Sequence, residues 1–156
     1  ASSTTFSIVQ LGLPDVATPV RANLEGANAN YLKVRSGKGF VAYGGGIPKI
    51  EEITLTGDLV RRTLSDAGVH DFCVDPQNGH LYAIADTRCE ILDINPAANP
   101  PTTTVLIGQA GSYGVIDGPA ASARFSDLRA IVAATEGTAH YLYVTDGHVV
   151  RRIQRP

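Results

Sequence analysis

An internal repeat restricts the fold of this chain more than any other feature. Three segments align, residues 29–46 (ANYLKVRSGKGFVAYGGG), 70–87 (HDFCVDPQNGHLYAIADT) and 129–147 (RAIVAATEGTAHYLYVTDG). Each reads as strand, turn, strand. The first strand alternates apolar residues, as in Leu32 and Val34 or Phe72 and Val74, and a turn rich in Gly, Asn and Pro follows. The second strand is aromatic or β-branched, Phe40 to Tyr43, Leu81 to Ile84 and Tyr141 to Val144. A third run follows each pair (KIEEITL, CEILDI, HVVRRI), and a fourth (LVRRTL, TTTVLIG) closes the first two units but not the last. Near the start, TFSIVQLG looks like TTTVLIGQ, so it reads as a fourth-type strand without a unit of its own. With the strands of a unit lettered a to d, the chain is d-abcd-abcd-abc. Self-similarity at a fixed period means that each unit buries its apolar face against its neighbours. No run of ten or more residues has a helical period. The segment DGPAASARF is expected to make at most one turn, capped by Asp117 with Pro119 in the first helical position.

Composition narrows the possible functions. With 156 residues and 44% hydrophobic content, there is material for one core. A net charge of -2, from 13 basic and 15 acidic residues, gives no general attraction to polyanions, so nucleic-acid binding is not expected. No apolar run approaches the roughly 20 residues of a membrane-spanning helix. The chain contains no Met, so Ala1 is not expected to be the translational start. A removed secretory signal, which would place the protein outside the cytoplasm, an excised domain and a proteolytic fragment all remain open. Cys73 and Cys89 lack metal or redox spacing. With one strand between them their backbones would lie about 10 Å apart, too far for a disulfide, so two free, buried thiols are expected.

Residues 105–153 resemble an NHL repeat with the long form of the loop leading into the blade. The matching residues are Asp117, Gly118, Pro119, Ala120, Ala123, Arg124, Phe125, Leu142, Tyr143, Val144, Asp146 and the strand Val150-Arg151-Arg152-Ile153. The middle unit is similar through VDPQNGHLYAIAD, with an extra residue in the second strand. The first is similar in outline, with GGG at 44–46 where the family has Asp. The resemblance implies an all-β fold of β-propeller blades, each of four antiparallel strands. There would be about three blades, half or a fragment of a six-bladed ring, since no propeller closes with fewer than about four. The expected divisions are an N-terminal d-type strand at 1–12, blade 1 at 13–64, blade 2 at 65–108 and an incomplete blade 3 at 109–156. A second copy, exchanging Phe6 to Leu11 into the last blade, or the missing part of the same chain would close the ring. The strand ending abruptly at Pro156 favours the fragment.

In such a fold the innermost strands line a channel. Aligning YLKV, FCVD and IVAA places Asn30, His70 and Arg129 at or beside one site in three blades. They are the candidate ligand-binding residues, suited to an anionic or hydrogen-bonding ligand. The plain alternative is that they are solvated loop residues satisfying local backbone groups. His70, His80, His140 and His148 do not have positions that converge on one ion, so no metal is expected. Asp75, Asp86 and Asp146 recur at turn ends and read as turn caps rather than catalytic carboxylates. In each Arg pair, 61–62 and 151–152, one side chain points inward and one outward, leaving part of that charge for a partner. No nucleophile elbow, phosphate loop or paired-carboxylate signature appears, and no cofactor or catalytic residue is assigned. The resemblance therefore implies a non-catalytic interaction module for a protein, peptide or carbohydrate, acting at the channel mouth or one face. The alternatives are an enzyme similar to the peptide-amidating lyase or strictosidine-synthase-like propellers, with His70 and Arg129 at the channel, and an RNA-binding NHL domain.

Overall fold

The computed structural model describes residues 8–12, 16–21, 28–44, 48–56 and 60–155, the first two stretches as backbone. The fold is all-β, with no helix among these residues. Ala29–Arg35 (β3), Lys38–Tyr43 (β4), Lys49–Thr54 (β5) and Arg61–Ser65 (β6) form the first antiparallel sheet. Val69–Val74 (β7), Leu81–Ala85 (β8), Glu90–Asn95 (β9) and Thr102–Gly108 (β10) form the second. Leu128–Glu136 (β11), Ala139–Asp146 (β12) and Val149–Arg155 (β13) form a third, of three strands. These are the strands the repeat predicts. Ile8–Gly12 (β1) pairs with Val16–Arg21 (β2) in a separate two-stranded sheet. The sequence reading has no strand at β2 and places β1 on the last unit. Within the chain β1 instead takes the partner three residues away, where loop closure costs least.

The three sheets are copies in register as well as in order. Each inner strand carries a bulge after its first residue: Ala29 pairs with Tyr43 but Tyr31 with Ala42, Val69 with Ala85 but Asp71 with Ile84, Leu128 with Asp146 but Ala130 with Thr145. Anchored on these bulges, Phe40, Tyr82 and Tyr143 are equivalent, as are Ala42, Ile84 and Thr145, and Ile50, Ile91 and Val150. Packing follows this equivalence. Phe40, Ala42 and Ile50 of the first sheet are buried against Leu81, Ala83, Ala85, Leu92 and Ile94 of the second. Tyr82, Ile84 and Ile91, from the second sheet's other face, pack in the same way on Leu142 and Val144 of the third, together with Phe125 and Leu128. The second sheet is thus covered on both faces. On the third sheet the corresponding face carries Val132 and Val150, which are 55% and 70% exposed.

Polar contacts lock the seams. Arg35 donates to the carbonyls of Asp75 and Pro76, and Arg62 to those of Pro96 (2.8 Å) and Ala98 (2.7 Å), tying the first sheet to the second. Asp71 accepts from the Ile131 N–H at 3.0 Å, joining inner strands β7 and β11. Buried Arg155 donates to the Tyr82 hydroxyl at 2.6 Å and is ion-paired with Asp75. Cys73 and Cys89 are free and buried. Burial, with the nearby Asp71 and Asp75 charges, pushes the Cys73 thiol up to about 12, so it remains a protonated, packed group. DGPAASARF makes a single turn, in which the Ser122 and Ala123 N–H groups both donate to the Pro119 carbonyl at 2.9 Å.

Candidate functional site at the inner-strand bulges

Asn30, His70 and Arg129 are the three bulge residues. Each is the second residue of its sheet's innermost strand, skipped by the pairing on either side. A bulge leaves the extra residue out of the ladder and re-aims its side chain, which is why such positions recur beside binding sites. The residue type is polar in all three sheets, and Asn30 and Arg129 are exposed while His70 is half-buried.

The structure brings two of the three together electrostatically. His70 is held below the usual histidine range by partial burial and by the guanidinium groups of Arg88 and Arg129, against the opposing charges of Asp71 and Asp127. Arg129 is paired with Asp127, Nε to Oδ2 at 2.7 Å, and Arg88 approaches the other oxygen at 3.5 Å. The Arg129 hydrogen bond is the main cause that holds the Asp127 carboxyl below its ordinary range. His70, Arg88, Asp127 and Arg129 thus form one cluster at the seam of the second and third sheets. The Arg88 N–H donates to the Ala85 carbonyl and the Arg88 carbonyl accepts from the Leu128 N–H at 2.9 Å, which fixes the Arg88 loop on the start of β11. Asn30 is in the first sheet, and its side-chain amide lies over Gly44 beside its own strand pair, where an added Cβ would meet it.

Arg88 and Asp127 were not read from the sequence. Arg88 sits in a loop with positive φ (56°), and nothing in its spacing announces it. Asp127 could have been found, because it stands two residues before Arg129 and so on the same side of an extended chain.

Two of the other histidines have local partners. His80 Nδ1 is 2.7 Å from Asp93 Oδ1, and His140 Nδ1 is 3.4 Å from the Thr135 hydroxyl. Among the described residues no three or more His, Cys, Asp or Glu side chains gather as a metal site would require. Asp75 and Asp146 cap turns. The Gln77 N–H donates to Asp75 at 2.7 Å, and the Ser126 and Asp127 N–H groups both donate to Asp146 at 2.8 Å. In the Arg pairs, Arg61 is bonded to Glu51 and Arg151 is sunk against Asp146 and Asp117, while Arg152 stays more than half exposed. Among the described residues no helix is long and apolar enough to cross a membrane.

Comparison with known proteins finds no family model that matches the chain, and no characterised protein or solved structure that matches it significantly.

Proposed function

We propose that the three sheets are blades of a β-propeller of the NHL-repeat kind. In this reading the chain is a non-catalytic binding module that takes a peptide or protein segment at the rim formed by the inner-strand bulges. The carrying observation is the shared register of Asn30, His70 and Arg129, three polar side chains released from the ladder at the same step of three stacked sheets. Face-to-face stacking with adjoining inner strands supports the blade reading, since radial repetition of four-stranded sheets is what a propeller is. The rim offers an amide, an imidazole and a guanidinium, which together suit the carbonyl and carboxylate oxygens of an extended peptide.

The test is selection of peptides from a displayed library on the folded protein. Binding is then remeasured with Asn30→Ala, His70→Ala and Arg129→Ala combined. All three side chains are at least half exposed or lie outside the ladder, so the sheets should persist. Loss of hydrogen bonds to charged groups should weaken the selected peptides about tenfold or more. Peptides that bind the triple variant as tightly as the parent would exclude the rim as the site.

A further inference from the structure

The segment that joins the second and third sheets, residues 109–127, exposes its large apolar side chains. Tyr113, Val115 and Ile116 are 64%, 56% and 52% exposed, and no other four-residue stretch among the described residues exposes three such groups. Single exposed aliphatic residues are ordinary on a protein surface, whereas a cluster marks a place that something covers. The backbone beneath them is fixed. Arg124 Nε donates to the Ser112 hydroxyl at 3.0 Å, and the same guanidinium donates to the Ala121 and Ala123 carbonyls. Arg151, whose side chain is only 10% exposed, donates to the carbonyls of Ile116 at 2.7 Å and Arg124 at 2.6 Å. Tyr113 and Ile116 are bridged to Phe125 and Arg124, so covering the strip requires little further ordering.

The strip adjoins the bulge rim. Both ends of the segment are tied to the turn that carries Arg88, because the Gln109 N–H donates to the Cys89 carbonyl at 3.3 Å and the Leu128 N–H to the Arg88 carbonyl at 2.9 Å. Phe125, the bridge partner of Tyr113, stands two residues before Asp127. Two residues span at most about 7 Å and bridged Cα atoms lie about 5 Å apart, so the Tyr113 backbone is within about 12 Å of Asp127. At Asp127 one carboxylate serves two guanidinium groups, Arg129 at 2.6 Å and Arg88 at 3.5 Å. The nearby Asp71 is paired with Lys33 at 3.7 Å. The Arg88–Arg129 cluster therefore carries one more cation than anion, which suits an incoming carboxylate.

We propose that Tyr113, Val115 and Ile116 are the apolar half of the rim's docking surface. Its ligand is an extended peptide with an acidic residue at Arg88 and Arg129 and an aliphatic or aromatic residue up to about four positions away on the strip. This inference rests on the peptide-binding reading of the rim and adds which peptides it takes. Charge selects the acidic residue, and burial of apolar area against the fixed strip supplies the rest of the affinity. A purely anionic ligand, such as free phosphate, would leave the strip in water.

The experiment uses the full chain and short labelled Gly/Ser peptides carrying one Glu and one Leu at that spacing. Counterparts have Gln for Glu or Ser for Leu, and all are titrated by fluorescence polarisation. Replacing Leu should weaken binding to the parent about tenfold. It should change nothing in a Tyr113→Ser, Val115→Ser variant, whose two exposed side chains leave the carbonyl network of the segment in place. Val132→Ser removes an apolar side chain of similar exposure from the third sheet's face and should keep the advantage of Leu. An advantage that is absent in the parent, that survives the double variant, or that Val132→Ser removes equally would overturn the inference while leaving the rim intact. So would self-association of the parent that the double variant abolishes, which would assign the strip to a second copy. A preference for Glu that survives Asn30→Ala, His70→Ala and Arg129→Ala combined would instead overturn the rim reading on which the inference stands.

Discussion

Asp146 lies almost fully buried at the end of β12. Its Oδ1 accepts from the Ser126 N–H, the Ser126 hydroxyl and the Asp127 N–H, and its Oδ2 accepts from Arg151 at 3.0 Å. Burial pushes its carboxyl up, but these hydrogen bonds outweigh burial and hold it below the ordinary range. A depressed carboxyl contributes stability that is present above the unfolded-state value and lost as pH falls through the folded one. Asp146→Asn should therefore cost about 3 kcal/mol near neutral pH, and urea titrations should show that cost shrinking in strong acid, where the parent is protonated too. An equal cost at both pH values would contradict this account. His70 favours its neutral rather than its charged form, yet its pH dependence has the same sign. Its lowered value means that, below about pH 6.5, the unfolded chain takes up a proton that the folded chain resists. The melting temperature should fall between about pH 7 and pH 5, and less steeply in His70→Gln. At this scale the sequence revealed residue type and turn role, so Asp75 and Asp146 were legible as caps. The Arg88 and Asp127 partners of His70 were not, because they meet only when the second and third sheets stack.

Strands were legible wherever alternation and an aromatic or β-branched run coincided, which covers β3 to β13. β2 was missed although Val16, Thr18 and Val20 are β-branched at alternate positions, because Pro19 among them lacks an N–H and reads as a strand breaker; it sits beside the register shift of the hairpin. What the sequence could not reveal is how each sheet is finished at its turns. Gly108, at the end of β10, has φ +93°, and a Cβ there would collide with the carbonyl of Cys89 and pack within 3.1 Å of the Phe125 ring. Gly108→Ala combines left-handed strain with a clash against rigid backbone, and should cost about 1–3 kcal/mol. Gly111→Ala is a matched comparison, since its φ is +72° but nothing lies within 4 Å of its Cβ. Thermal unfolding of both variants separates the two costs. If Gly108→Ala is no worse than Gly111→Ala, the close approach of β10 to the Cys89 carbonyl is not what requires glycine.

Across the whole molecule the sheets form a short stack in which the second touches both neighbours through two separate apolar layers. Stability in such an array is a sum of unit and nearest-neighbour terms, so it should be uneven along the chain. The middle sheet shares both interfaces and can open only if one neighbour opens with it. The third shares one interface, has an open face at Val132 and Val150, and among the described residues has no strand beyond β13. Native-state hydrogen exchange should therefore find the slowest amides in β8, where all five residues are buried. Exchange should be faster through β13 even at residues bonded to β12. Two core truncations make the point sharper. Leu142→Ala, in the layer between the second and third sheets, should cost about 2–5 kcal/mol and speed exchange mainly in β11 to β13. Phe72→Ala, in the layer between the first and second, should cost about 3–5 kcal/mol and speed exchange in the first two sheets. If either change raised exchange equally in all three sheets, the molecule would be a single cooperative unit, and the two apolar layers would not be separable interfaces.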